Sequence, residues 1–218
     1  MNGKNKISPA VIGRLSRYYR FLRMLNEQKV ERVSSADLAR MMDLTASQIR
    51  QDFNCFGDFG QQGYGYNVEY LFGELRKLLG AEEGYTAVIL GAGNLGSAFA
   101  HAQTFSRRGV TVTAMFDVSP ALIGKTVGDL KVYDEKDVES FYRAHPFDIA
   151  VLCVPKDAAQ ECADRLTHLG VEALWNYTGI EIAVPEHCIV ENVHLGDSLL
   201  TLSYKLREQR LEEQKERT

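Results

Sequence analysis

The stretch Tyr85-Thr-Ala-Val-Ile-Leu-Gly91-Ala-Gly93-Asn-Leu-Gly96 decides how this chain is read. An apolar run rich in β-formers leads into G-x-G-x-x-G, and Ser97-Ala-Phe-Ala100 continues as the start of a helix. In such a strand, turn and helix the glycines have separate tasks. Gly91 permits the tight turn, Gly93 lets a pyrophosphate approach the backbone, and Gly96 lets the helix pack on the strand. The expected phosphate cradle is therefore the backbone of Gly91, Ala92, Gly93, Asn94, Leu95 and Gly96. A second strand, predicted over residues 110–116, ends in Asp117, 21 residues after Gly96. An acid at that spacing bonds the adenosine ribose hydroxyls and repels a ribose 2′-phosphate, so the predicted ligand is NAD, as NADH or NAD+.

Downstream, strand and helix patterns keep alternating. Strands are predicted over residues 131–133, 148–154, 171–176 and 189–193, with helices over 135–144 and 157–170. This β-α-β order implies an α/β fold of Rossmann type, a doubly wound parallel sheet with its ligand at the carboxyl ends of the strands. Val154 and Pro155 fall at one such end, and Asn176 and Tyr177 at another. They either border the nicotinamide half of the cofactor or form ordinary strand-stopping loops. A last helix, over residues 196–210, has Leu195, Leu199, Leu202 and Leu206 on one stripe and Leu200, Tyr204 and Leu211 on another. Two apolar stripes need two surfaces, its own sheet or another subunit. Residues 207–218 are almost wholly polar and are expected to fray.

Upstream, residues 9–25 place Val11, Ile12, Leu15, Tyr18, Tyr19, Leu22 and Leu25 at helical steps, with Arg14, Arg17, Arg20 and Arg23 between them. Ser34 or Ser35 caps a second helix, and Thr45 caps a third over residues 46–53. Three short helices of this kind describe a helix-turn-helix. Its last helix turns Ile49 and Phe53 inward and Ser47, Gln48, Arg50 and Gln51 outward, where arginine and glutamine suit guanine and adenine edges. The aromatic and glycine alternation of residues 56–66 then suits a β-hairpin wing, with Gln62, Gly63 and Tyr64 at its tip. The alternative is a small helical module for dimerisation or docking, the head of an NAD- or CoA-binding regulatory subunit that docks on a protein. A further helix, predicted over residues 67–79, has Val68, Leu71, Phe72, Leu75, Leu78 and Leu79 on one side and leads to a boundary at residues 80–84. The expected organisation is a winged-helix domain with linker helix over 1–80, a Rossmann domain over 84–194, and a dimerisation helix with charged tail over 195–218.

Charge supports a division of labour. Residues 1–66 hold ten Lys/Arg against six Asp/Glu, net +4; the remainder holds the other 15 basic and 23 acidic residues, net −8. A basic head on an acidic body suggests that the head meets a polyanion. With 45% hydrophobic and 25% charged residues the 218-residue chain is ordinary for a globular protein. No apolar run approaches the roughly 18 residues a membrane helix needs, and no apolar signal region follows the first residues, so the expected location is cytoplasmic. Cys55, Cys153, Cys162 and Cys188 show neither C-x-x-C pairing nor zinc-ligand spacing, and are read as reduced thiols without a metal. None of the five histidines has a carboxylate at a spacing that suggests a catalytic pair, and no separate substrate domain is present. A ligand-sensing regulator fits better than an enzyme.

The order of winged helix, linker helix, Rossmann domain and terminal helix resembles the Rex family of redox-sensing transcriptional repressors. So do Arg14-Leu-x-x-Tyr-x-Arg20, Ser34-Ser-x-x-Leu-Ala39, Gln48-Ile-Arg50-x-Asp52, the wing motif from Phe56-Gly57 to Gly65-Tyr66, and Gly91-x-Gly93-x-x-Gly96. The resemblance covers nearly the whole chain. It implies a bacterial homodimer that binds a palindromic operator, double-stranded DNA, when NADH is scarce and releases it when NADH rises, with neither nucleotide turned over. It also implies a domain-swapped terminal helix and a role in DNA binding for Arg14, Thr45, Ser47, Gln48, Arg50, Gln51, Gln62, Gly63 and Tyr64. By the same resemblance Asp197 switches partners between an arginine matching Arg20 and a tyrosine after the fingerprint helix. The chain departs from the family here, because Ala102 stands where that tyrosine is expected. Gln51 and Gln61-Gln62 also replace residues that are often basic, which predicts fewer phosphate contacts.

Overall fold

In the computed structural model the described residues are 8–56, 60–61, 64–102 and 105–216. The chain divides into two compact units between Glu83 and Gly84.

The first unit opens with α1 (Pro9–Glu27), where Ser8 accepts the Val11 N–H and Pro9 occupies a position that needs no N–H. Its buried stripe is Leu15, Tyr18, Tyr19, Leu22 and Leu25; Ile12, expected among them, lies outside the core and is exposed. β1 (Arg32–Val33) precedes α2 (Ser35–Met42), which Ser34 and Asp37 close with a reciprocal capping box. Asp43 turns the chain in the left-handed region, and Thr45 Oγ1 then accepts the Gln48 N–H to start α3 (Ala46–Asn54). β2 (Gly60–Gln61) and β3 (Gly65–Asn67) pair antiparallel, and β3 also pairs with β1, giving the order β1-β3-β2. The β1 strand was not predicted: two residues are too few to show alternation. Gly65 has φ +69°, and a Cβ there would lie 2.8 Å from the Val33 carbonyl oxygen, so the wing can lie against β1 only with glycine at this place. Residues 57–59 and 62–63 of the expected wing, including Gln62 and Gly63, lie outside the described residues. α4 (Val68–Leu78), capped by Asn67, buries Val68, Leu71 and Leu75, whereas Leu78 is exposed contrary to expectation.

The second unit is built on β4 (Tyr85–Leu90), β5 (Val110–Asp117), β7 (Leu130–Asp134), β8 (Ile149–Leu152), β9 (Ala173–Asn176) and β10 (Ile189–Asn192), with β6 (Thr126–Val127) at one edge. The order is β10-β9-β8-β4-β5-β7-β6, parallel throughout except that β6 runs antiparallel to β7. Apart from β6 this is the doubly wound order of a dinucleotide fold, reversing direction between β4 and β8. The β6–β7 hairpin was missed, although Gly128-Asp129 is a two-residue turn signal and Gly128 has φ +60°. Val88, Leu90, Ala114, Phe116, Ala150 and Leu152 face one core with Ala159, Ala163 and Leu166 of α7 (Lys156–Leu169). Ile89, Met115, Val132 and Val151 face the other, beside Phe99 of α5 (Asn94–His101). β7 reaches β8 through a 3-10 turn, Glu135–Asp137, and α6 (Val138–Ala144), where one helix was expected.

The terminal helix α8 spans Leu195–Glu216, so that residues 207–216, expected to fray, continue it; residues 217–218 lie outside the described residues. Glu, Gln, Lys and Arg are strong helix formers, and Gln209 donates to Glu213 one turn on. Leu195, Leu199, Leu200, Leu202, Tyr204, Leu206 and Leu211 are all exposed on it. Among the described residues no helix is long and apolar enough to cross a membrane, and no group of His, Cys, Asp and Glu is placed to hold a metal.

Candidate dinucleotide site and nucleic-acid interface

The fingerprint glycines sit where β4 meets its two neighbours. Gly91 has φ +96°, its N–H donates to the Phe116 carbonyl, and a Cβ there would lie 2.5 Å from the Cys153 carbonyl oxygen. Gly96 is tighter still, since its Cβ would fall 1.9 Å from the Gly91 carbonyl oxygen. Gly93 differs: nothing lies within 4 Å of a Cβ built on it. The glycine expected to face the pyrophosphate is thus the one with open space before it. Gly93 is also the N-cap of α5 and offers no side-chain acceptor, so the first N–H groups of the helix, at Asn94 and Leu95, are left for a ligand or water.

Asp117 ends β5 beside this loop. Its Oδ2 accepts the Ala92 N–H at 2.7 Å and its Oδ1 accepts the Ser119 N–H at 2.8 Å. The carboxylate therefore shapes the turn and keeps further lone pairs for a ribose diol. Ser119 was not anticipated. Across the switch point the Cys153 N–H donates to the Leu90 carbonyl, which brings Val154 and Pro155 to the same edge. Burial pushes the Cys153 thiol up to about 12, which disfavours its thiolate.

Asn176 fits the second of its two expected readings, a strand-stopping loop. Its side chain is buried, Nδ2 donates to the Ile180 carbonyl and to Asn192, and Oδ1 accepts from the Thr178 N–H and hydroxyl. The side chain thus holds its own loop, with its hydrogen-bonding capacity filled. Tyr177 stands in an aromatic cluster, 4.8 Å from the Phe99 ring and 4.9 Å from Trp175. Burial, and then the neighbouring Cys153, push its phenol up to about 12. Of the histidines expected at the surface, His194 meets Glu181 at 2.9 Å. That carboxylate is three-quarters exposed and also accepts from Asn192, making a surface clasp between β10 and the preceding loop.

In the first unit α3 is held by a polar hub invisible to spacing rules. Asp52 is 1% exposed, and its two oxygens accept from Arg14 at 2.6 and 2.8 Å, Tyr18 at 2.7 Å and Gln48 at 2.9 Å. Burial opposes its ionisation, but these hydrogen bonds outweigh that and hold its carboxyl below the ordinary carboxylate value. The Asp52 hydrogen bond raises Arg14, and burial followed by Asp52 raises Tyr18. Arg14, for which the resemblance implies a role in DNA binding, is turned inward here and fastens α1 to α3. Arg17 is likewise engaged, donating to the Met42 carbonyl.

Ser47, Arg50 and Gln51 are exposed on α3 as expected, with Arg50 lightly tethered to the Ser35 hydroxyl. Thr45 is the cap, and Tyr64 at the wing is 70% exposed, with its carbonyl held by Arg32. Of the switch residues, Arg20 is exposed on α1 with its guanidinium 5.5 Å from the Phe21 ring, and Asp197 is exposed in the first turn of α8. Ala102 is the C-cap of α5.

A winged-helix unit followed by a dinucleotide-type Rossmann unit defines the class of ligand-responsive DNA-binding regulators. Residues 6–54 match the family described as "Putative DNA-binding protein N-terminus", and residues 82–180 match the CoA binding domain family. The redox-sensing transcriptional repressor Rex of Thermoanaerobacter pseudethanolicus is 50% identical, covering 97% of this chain and 94% of the relative. That of Clostridium botulinum strain Alaska E43 is 48% identical over 95% and 99%. The chain belongs to the Rex family. Among solved structures, RSP in complex with β-NAD+ and operator DNA is 48% identical with a TM-score of 0.87, covering 96% of this chain and 97% of that one. RSP in complex with β-NADH is 46% identical with a TM-score of 0.88, covering 96% and 98%.

Proposed function

We propose that this protein is a cytoplasmic, redox-responsive repressor. It acts as a homodimer on palindromic operator DNA and lets go when NADH replaces NAD+. The observation that carries the reading is the Gly93 opening at the α5 N-terminus, with Asp117 bonded to the same loop. The backbone of Gly91 to Gly96 takes the pyrophosphate, Asp117 the adenosine ribose, and Val154, Pro155 and Tyr177 border the nicotinamide. Thr45, Ser47, Gln48, Arg50 and Gln51 face the major groove, and Gln62, Gly63 and Tyr64 of the wing lie along the backbone. The exposed leucines of α8 are covered by a second copy, with Asp197 of α8 set against Arg20. NAD+ and NADH differ only at the nicotinamide ring, so the response comes from differential affinity there for two arrangements of the dimer. In this reading the nucleotide acts as an effector and leaves unchanged.

The match of residues 82–180 to CoA binding domains supports a second reading, a CoA-type ligand. The Asp117 carboxylate argues against it, since it sits where a ribose phosphate would have to be accommodated. Operator affinity titrated with NADH, NAD+ and CoA at fixed salt tests both readings. Release by NADH alone is expected. Release by CoA, or indifference to all three, overturns the redox reading.

A further inference from the structure

We infer that Asp52 sets the base specificity of the α3 helix by fixing which end of the Gln48 amide faces outward. The inference rests on the reading of α3 as the element that enters the major groove. A free glutamine is ambivalent. Its amide presents a carbonyl to an amino group or an N–H to an acceptor, and a half-turn about the last bond exchanges the two.

Here that exchange is blocked. Gln48 Nε2 donates to Asp52 Oδ1 at 2.9 Å, and the reversed amide would set a carbonyl oxygen against a carboxylate that is already buried. Asp52 cannot move away to relieve this, because Arg14 grips both its oxygens and Tyr18 donates to Oδ2. The Arg14 and Tyr18 contacts come from α1, so the acceptor end of the hub is anchored from outside the recognition helix. Gln48 is half-buried, and no hydrogen-bond donor meets its Oε1 among the described residues. Ser47 and Gln51 are exposed beside it, so the oxygen belongs to the outward surface of α3.

The chemistry of recognition follows. An outward Oε1 accepts from an exocyclic amino group, adenine N6 or cytosine N4, and repels the carbonyl oxygens of guanine O6 and thymine O4. Gln48 Nε2 keeps one hydrogen free, so the fixed Oε1 gives Gln48 a preference for amino over keto bases at one position of each half-site, and it does so because of a carboxylate that touches no DNA. Asp52 is a positioning residue and Gln48 the reading residue.

The test uses the full-length protein and operator duplexes in which each half-site position carries each of the four bases, with relative affinities measured at fixed salt. Comparison with Gln48→Ala locates the position that Gln48 reads. At that position the wild type should prefer adenine or cytosine over guanine or thymine by about three- to tenfold, the range expected of one hydrogen bond. Where the base is adenine, purine lacking the 6-amino group should lose the same factor, and Gln48→Ala should be indifferent to all these changes. Asp52→Asn, whose amide can serve either orientation of Gln48, should bind DNA with the amino-against-keto ratio near one. A wild-type preference for guanine or thymine at the Gln48 position overturns the inference, as does a Gln48→Ala profile identical to wild type. So does an Asp52→Asn protein with native circular dichroism and an unchanged ratio. Should Asp52→Asn fail to fold, the Gln48→Ala and modified-base comparisons decide alone. Absence of any sequence-specific binding by the wild type overturns the operator-binding reading itself, a distinct result.

Discussion

The three fingerprint glycines carry one consensus but three different physical loads, and alanine at each should separate them. At Gly96 the new methyl would lie 1.9 Å from the Gly91 carbonyl oxygen, a backbone atom that can yield only if α5 lifts off the sheet. Overpacking of that kind costs ~1–3 kcal/mol and more where backbone must move, so about 3 kcal/mol is expected. At Gly91 the methyl meets the Cys153 carbonyl at 2.5 Å with φ at +96°, adding ~1–2 kcal/mol of backbone strain to the clash. At Gly93 nothing lies within 4 Å and φ is −69°, so Gly93→Ala should change stability by no more than ~0.5 kcal/mol. Binding should follow the opposite order of cleanness. Gly93→Ala obstructs the open side of the α5 N-terminus and should weaken NADH at least tenfold, the loss of one charge-assisted hydrogen bond of ~1.5–3 kcal/mol. The sole tryptophan, Trp175, is packed against Phe99, Phe105 and Tyr177 in this unit, so its fluorescence reports unfolding there. Urea unfolding and NADH titration of the same samples give both quantities. A Gly93→Ala protein that binds NADH like the wild type would place the phosphates elsewhere and refute the site. A Gly96→Ala protein as stable as wild type would refute the packing argument.

Asp117→Asn turns one amide N–H toward a backbone donor and removes the negative charge, so NADH affinity should fall while the preference for NADH over NADPH narrows, both read by fluorescence titration. Asp52 has a folded value below its unfolded one, so the stability it contributes is present above the ordinary carboxylate range near 3.8 and is lost as pH falls through the lower, folded value. Urea midpoints of the first unit, followed by far-ultraviolet circular dichroism, should drop over that acid window in wild type and far less in Asp52→Asn. Replacing Leu199 and Leu202 of α8 by Asp together sets two charges on the exposed apolar stripe and should convert a dimer to monomers in sedimentation equilibrium; an unchanged dimer would move the interface elsewhere. Gln51→Lys adds a cation to the exposed face of α3 and should steepen the dependence of log affinity on log salt by ~0.9 for each phosphate gained.

Sequence alone determined what depends on neighbours along the chain. The fingerprint from Tyr85 to Gly96, the caps at Ser34 and Thr45, and the alternation of strands and helices through residues 110–193 rest on spacings of a few residues or one strand length, which survive in the linear text. Asp117 was legible for the same reason, since one β-α-β unit fixes its distance from the glycines. What the tertiary structure alone decided depends on groups brought together across long stretches. Arg14 and Asp52 lie 38 residues apart, and only the packing of α1 on α3 turns an arginine of a basic stripe into the partner of a buried acid. Sequence left Asn176 open between a cofactor border and a strand-stopping loop, and only the fold sets Ile180, Asn192 and Thr178 around its amide. β1 was too short to show a period, and α8 outran its expected end because its charged residues favour helix over fraying. Local periodicity and capping are encoded by adjacent residues, whereas the use to which a polar side chain is put is settled by which donor or acceptor the fold sets against it.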